Sequence, residues 1–217
     1  MHNCYPFSLQ PLPYACNGLA PCLNRETVCN HYEHHHRNYV NNLNQALLRY
    51  PAYQSWTLEQ LLTDGECLPE EIRTKVLRNA GGVYNHNLYW NSMTPRSSGC
   101  PMGTLGRAIH EQYQSFALFQ QQFQTSAAAV FGSGWLWLAV DSNDTLQICH
   151  TANQDVLDLQ QFQPLLVLDL WEHAYYLQYC YNRERYTENW WHLVNWRFAE
   201  NQYQNRSAAI CRAEDLD

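Results

Sequence analysis

Lysine is nearly missing from this chain. Lys75 is the only one in 217 residues, and arginines make up the rest of the 13 basic side chains. Against them stand 20 acidic side chains, for a formal net charge of −7. A general nucleic-acid binder carries a basic footprint, so that class is excluded. Long apolar runs are missing too. Stretches such as Ala127–Phe131 and Leu165–Leu168 fall far short of the roughly 20 residues that cross a bilayer, and no membrane partner is expected. No Cys-x-x-Cys pair occurs among the nine cysteines, so no thiolate motif competes for zinc. The opening Met1-His2-Asn3-Cys4-Tyr5-Pro6 lacks the basic start and apolar stretch of a secretory signal. Reduced thiols and a cytoplasmic location are the expectation. Only 15% of residues are charged, and much of the polarity comes from 18 Gln and 19 Asn. Aromatic residues reach 14%, with eight Trp and 15 Tyr, which excludes a disordered chain.

Residues 1–25 read as irregular, with Pro6, Pro11, Pro13 and Pro21. Asn24 or Thr27 can cap the helix that follows. His31, His35, Tyr39 and Leu43 recur every four residues, near one helix face. Short helices are expected over Leu58–Leu62 and Glu70–Ala80. Gly81-Gly82 is expected to break or bend the chain before an aromatic helix over Val83–Met93. Thr94-Pro95-Arg96-Ser97-Ser98-Gly99-Cys100-Pro101 is the best boundary between two halves. The expected domains are therefore 1–95 and 96–217. Helices are expected over Thr104–Gln114 and Ser115–Phe131. Trp135–Val140 and Leu146–His150, separated by Asp141-Ser142-Asn143-Asp144, form a strand–turn–strand signal. Pro164–Leu170 is a third strand-like run, and Glu184–Phe198 reads as one Trp-rich helix. The order predicts an α+β fold: an N-terminal helical part, then helices with a small antiparallel sheet of about three strands.

Ten histidines are many for this length, and six of them lie in three places. These are His31-Tyr32-Glu33-His34-His35-His36, Asn85-His86 and Asp169-Leu170-Trp171-Glu172-His173. Mixed imidazole and carboxylate ligands suit a first-row transition metal, and the carboxylate favours a trivalent ion. Each place alone has a plainer reading. His86 could be a satisfied core residue, His34-His35-His36 a solvated tract, and Asp169 with His173 an ion pair.

The block Asp169-Leu-Trp-Glu-His-Ala-Tyr-Tyr176 resembles the signature of the iron/manganese superoxide dismutases. The similarity extends over roughly residues 9–200. It takes in Leu12-Pro13-Tyr14, His31 with His35-His36, Tyr39-Val40-Asn-Asn-Leu-Asn44, Asn85-His86 and Tyr89-Trp90. It also includes Phe131-Gly-Ser-Gly-Trp135, Asn153-Gln154-Asp155 and Val194-Asn195-Trp196. The resemblance implies that His31, His86, Asp169 and His173 ligate one metal ion per subunit, with water or hydroxide as a fifth ligand. It implies an N-terminal helical hairpin carrying His31 and His86, and a C-terminal α+β domain carrying Asp169 and His173. The implied reaction is disproportionation of superoxide to oxygen and hydrogen peroxide by redox cycling of that ion.

Further roles follow from the same resemblance. Gln154 donates to the metal-bound solvent and tunes its proton affinity. Tyr39 stands at the substrate funnel, bonded toward Gln154. Iron-type relatives draw an equivalent Gln from the position held here by Gly82, so Gly82 with Gln154 is the manganese-type arrangement. Mn is expected, with Fe as the alternative. Trp135 and Trp171 form an apolar wall, and Arg183 supplies local positive charge for an anionic substrate. His35 joins Tyr176 of a second subunit, and Glu172 bonds His173 of the partner chain, which implies a homodimer. The competing reading is a metal-binding structural relative with little turnover. A zinc hydrolase is a third, but no His-Glu-x-x-His occurs and no general base is evident. The Glu33-to-His36 run, the scarcity of Lys, and Cys29 and Cys180 beside the implied site depart from the family pattern.

Overall fold

A computed structural model describes residues 4–214, with side chains described from 4 to 205. Met1–Asn3 of the opening segment and the Cys211 side chain lie outside them.

The N-terminal part is built on two helical rods. The first starts at α1 (Arg25–Asn30), passes through a π-helical turn (His31–His36) and continues as α2 (Arg37–Leu47). Asn24 begins it, its side-chain oxygen accepting from the Thr27 amide at 2.8 Å. After α3 (Leu58–Thr63), which opens on a Thr57–Gln60 capping box, comes the second rod, α4 (Glu70–Asn91). The expected break at Gly81-Gly82 does not occur, and α4 runs through both glycines. Glycine in a helix interior costs about 1 kcal/mol, but here the missing side chains are required. A Cβ on Gly81 would lie 2.1 Å from the Gln154 carbonyl oxygen, and one on Gly82 would lie 2.5 Å from the Tyr39 ring. Val40, Leu43 and Leu47 of α2 bury against Val76, Ala80 and Val83 of α4, which joins the rods.

The C-terminal part opens with α5 (Gly103–Tyr113) and α6 (Phe116–Ala129). Three strands follow: β1 (Gly134–Asp141), β2 (Leu146–Ala152) and β3 (Phe162–Asp169). They form one antiparallel sheet in the order β2-β1-β3. Asp141 shapes the β1–β2 turn by accepting from the Asn143 and Thr145 amides. The register of β3 slips by one residue beside Pro164, which has no amide to give the ladder. Helices α5 and α6 lie against β2, while α4 packs on β3. Trp135–Val140 of the central strand is therefore buried throughout. This is the α+β layout expected, a helical hairpin followed by helices around a three-stranded antiparallel sheet.

The last segments differ from expectation. Beyond a 3₁₀ turn (Glu172–Ala174) and the short α7 (Tyr176–Tyr179), Glu184–Phe198 is not one helix. It is divided between α8 (Arg183–Trp190) and α9 (Trp196–Glu214). Residues 191–195 leave helical geometry to pair with the end of α4. Val194 bridges Met93, the Thr94 amide donates to Leu193, and the Asn195 amide donates to Ser92. The Asn195 side chain then caps α9 by accepting from the Phe198 amide. This tertiary pairing overrides a helical pattern that is continuous in sequence.

Glu200 of α9 ties that helix to α5. Its carboxylate accepts from the Thr104 and Leu105 amides and the Thr104 hydroxyl, at the start of α5. Burial alone would raise this carboxyl, but the hydrogen bonds from Thr104 and Leu105 hold it below the usual range. Its contribution is present above the ordinary carboxylate pKa and fades as pH falls through the lowered folded value. Glu200→Ala is expected to cost about 1–2 kcal/mol near neutral pH. Urea melts of the two proteins check this, and the gap between them should narrow on acidification.

Candidate metal centre

Residues from both halves meet at one place. His31 opens the π turn, His86 lies in α4, Asp169 ends β3, and His173 sits in the 3₁₀ turn that follows. In a regular α-helix, residues four apart drift by about 40° per step around the axis. The wider π turn offsets that drift. His31 and Tyr39 thus both approach His86, at ring separations of 4.9 and 5.3 Å.

One donor atom from each of His31, His86, Asp169 and His173 lies within 4.8 Å of the others. Asp169 Oδ2 is 3.1 Å from His31 Nε2, 3.3 Å from His173 Nε2 and 3.9 Å from His86 Nε2. Ligands about 2.1 Å from a common ion and 90–120° apart stand about 3.0–3.6 Å from each other, so two separations match and the third is slightly wide.

The remaining polar atoms show which lone pairs are free. The Trp171 amide donates to Asp169 Oδ1 at 2.8 Å. His86 Nδ1 lies 2.6 Å from the Gly82 carbonyl, which can only accept, so Nδ1 carries the proton and Nε2 the lone pair. His31 Nε2, His86 Nε2, His173 Nε2 and Asp169 Oδ2 are all buried without a hydrogen-bond partner. The short contacts among them lack hydrogen-bond geometry. Burial, reinforced by His173, pushes His31 down to about 4, and burial takes His86 well below the usual imidazole range. Burial alone would raise Asp169, but His173 and His31 beside it more than offset this and keep the carboxyl ionised. Near neutral pH, the neutral imidazoles of His31 and His86 face a carboxylate. Buried polar atoms normally find partners, and a cation held by these four atoms satisfies all of them at once. The donor set fits a first-row transition metal.

Close by, Gln154 Nε2 donates to the Tyr39 hydroxyl at 2.9 Å. The Asn85 side-chain amide donates to the carbonyls of Gln154 and Asp155, both at 3.3 Å, fastening that loop to α4. The comparisons with known proteins match both halves of the chain to one family. Residues 6–94 match the alpha-hairpin domain of the iron/manganese superoxide dismutases, and residues 101–202 match their C-terminal domain. The chain belongs to the iron/manganese superoxide dismutase family. It is 42% identical over 200 residues to the manganese superoxide dismutase 1 of Leptolyngbya boryana, covering 91% of this chain and 81% of that protein. It is 42% identical over 195 residues to the iron superoxide dismutase of Legionella pneumophila, covering 90% and 97%. To the manganese superoxide dismutase of Thermus aquaticus it is 40% identical over 200 residues, covering 92% and 98%.

The other residues singled out from the sequence fall into two groups. Trp135, Trp171 and His35 touch the four-residue cluster. Trp135 meets His86 edge-on at 5.0 Å. Trp171 stacks on His173 at 5.4 Å and donates its indole N–H to the Asn153 carbonyl. His35 stacks on the other ligand-side ring, His173, at 4.1 Å. Arg183 and Tyr176 lie farther out. Arg183 donates to the Val130 and Gly132 carbonyls, and Tyr176 is 49% exposed.

Sequence reasoning gave His36 no role. It is fully buried, stacks on His86 at 5.2 Å, and its Nδ1 accepts from the Trp90 indole at 3.2 Å. Burial, and then His31, pushes it down to about 3. The run His34-His35-His36 is thus split by helix phase, with His34 and His35 exposed and His36 buried. His173→Ala removes one of the four donors. Metal content after loading is expected to fall roughly tenfold or more, with circular dichroism unchanged. Near-wild-type retention would refute the assignment of His173 as a ligand.

Proposed function

We propose that this chain is a superoxide dismutase acting through one Mn ion per subunit, with Fe as the alternative metal, held by His31, His86, Asp169 and His173. The observation that carries this reading is the set of four buried, unpartnered donor atoms with the Tyr39–Gln154 pair beside it. When bound, the ion supplies one-electron chemistry that oxidises one superoxide to oxygen and reduces another to hydrogen peroxide.

The protein's own groups supply protons, position and exclusion of water. Burial, and then the Asp169 charge, pushes the Tyr39 phenol up, against the opposing effect of the Gln154 bond. Tyr39 therefore keeps its proton near neutral pH, and Gln154 holds that hydroxyl in place. Trp135 and Trp171 wall the ligands from solvent. Net charge repels an anionic substrate, so attraction must be local, and Arg183 is the residue assigned to it. Mn is favoured because the Cβ space at Gly82 is taken by Tyr39, leaving Gln154 as the amide beside the centre. Relatives named for either metal are similarly identical to the chain, so identity does not choose between them.

The same reading takes residues 1–95 and 96–217 as two domains joined by the metal, in a cytoplasmic antioxidant enzyme. It assigns His35, Glu172, His173 and Tyr176 to a homodimer contact. Support for the contact comes from exposure: Glu172 and His35 are exposed, and Phe131, which follows the carbonyl that accepts from Arg183, is fully exposed.

Protein loaded with Mn or Fe is expected to consume superoxide catalytically, in proportion to bound metal. Gln154→Ala should lower the rate per metal about 10–100-fold. Full metal binding with no turnover would instead mark a structural relative. Glu172→Ala should shift sedimentation toward monomer at low protein concentration, and an unchanged dimer would remove the cross-subunit role.

A further inference from the structure

The segment between α4 and α5 and the start of α9 enclose a cavity of about 470 Å³. Its wall is mostly apolar and includes Trp196 and Met102. Met102 is 66% exposed, a large apolar side chain left in water. Two arginines stand on the same wall, Arg96 from the connecting segment and Arg197 from the first turn of α9. Arg37 pairs with Glu33, Arg73 with Glu66, and Arg183 donates to two carbonyls. By contrast, neither Arg96 nor Arg197 has a side-chain hydrogen bond or ion pair among the described residues. Glu200 is the one acid on the wall, and its two oxygens are engaged by Thr104, Leu105 and Gln204. The wall therefore carries one net positive charge, on a chain whose net charge is −7. The beginning of α9 adds partial positive charge there: the Asn195 side chain takes the Phe198 amide, and the Trp196 and Arg197 amides precede it.

A cavity of this size, apolar with a few charged groups on its wall, has the usual form of a small-molecule site. We propose that it binds a carboxylate with an aliphatic body, a medium-chain fatty acid anion. The carboxylate takes the guanidinium groups of Arg96 and Arg197, whose planar N–H forks match its two oxygens. The aliphatic chain lies against Met102 and Trp196, which removes apolar surface of both partners from water. Charge narrows the class further. One net positive charge suits a monoanion, whereas a phosphate monoester carries about −2 near neutral pH and would also have to face Glu200. An uncharged lipid would cover both guanidinium groups without pairing them, which is costly. None of the residues on the wall belongs to the metal centre, so occupancy is separable from superoxide chemistry. A bound anion would bridge the connecting segment and α9, beside the point where Val194 pairs with Met93.

The test is calorimetric titration of metal-loaded protein with decanoate, kept below its micelle concentration. The expected result is saturable binding of one decanoate per chain, with a melting temperature that rises with decanoate concentration. Arg96→Gln and Arg197→Gln should each weaken binding about tenfold. Met102→Asp, which sets a carboxylate in the wall, should abolish it. Circular dichroism and metal content of these variants should match the wild type, so that lost binding reads as a lost site. Acetate supplies the charge without the body, and decanol the body without the charge. Each should bind at least about tenfold more weakly than decanoate. Undiminished affinity in the double arginine variant would overturn the proposal. So would decanol binding as tightly as decanoate, or inorganic phosphate displacing decanoate at equal concentration. The absence of both saturable heat and a melting shift would do the same. None of these readings depends on superoxide turnover.

Discussion

Three imidazole nitrogens and one carboxylate oxygen are held together away from water, and the rest of the structure is arranged to keep them there. Each buried polar atom without a partner costs about 1–3 kcal/mol, and four of the same polarity also repel. Such an arrangement is poor in itself and becomes favourable only with a cation at its centre. Two donors come from the helical rods and two from the end of the sheet, so the same cation that satisfies them also binds one half of the chain to the other. Metal binding and the joining of the halves are then one free-energy term.

Much of the fold was legible because local signals and tertiary packing agree. Asn24 caps the first rod, Asp141 shapes the β1–β2 turn, and Trp135–Val140 is apolar because its strand is covered on both faces. The ligand set was legible through the block from Asp169 to Tyr176, which places carboxylate and imidazole four residues apart at a strand end. Errors arose where tertiary contacts outweigh local pattern. Gly81-Gly82 reads as a break when only propensity is counted, and Trp191–Asn195 reads as helix until its pairing with Ser92–Thr94 is seen. The π turn leaves no mark on periodicity that four-residue spacing could reveal. It decides which of three consecutive histidines is buried, which is why His36 was missed.

The stretch from Gly81 to His86 shows how closely fold and chemistry are joined. The Gly82 carbonyl fixes the tautomer of His86, and its missing side chain leaves room for the Tyr39 ring. Gly81 lets the Gln154 carbonyl come against the helix, and Asn85 then grips that carbonyl and the next. Gln154 can reach Tyr39 only because both glycines keep the helix surface bare. A side chain at position 82 would meet Tyr39 before reaching anything else, so an amide delivered from α4 requires Tyr39 to move. The choice of which element supplies the glutamine is therefore made by backbone exposure on α4, two turns of helix that local propensity alone would have taken apart.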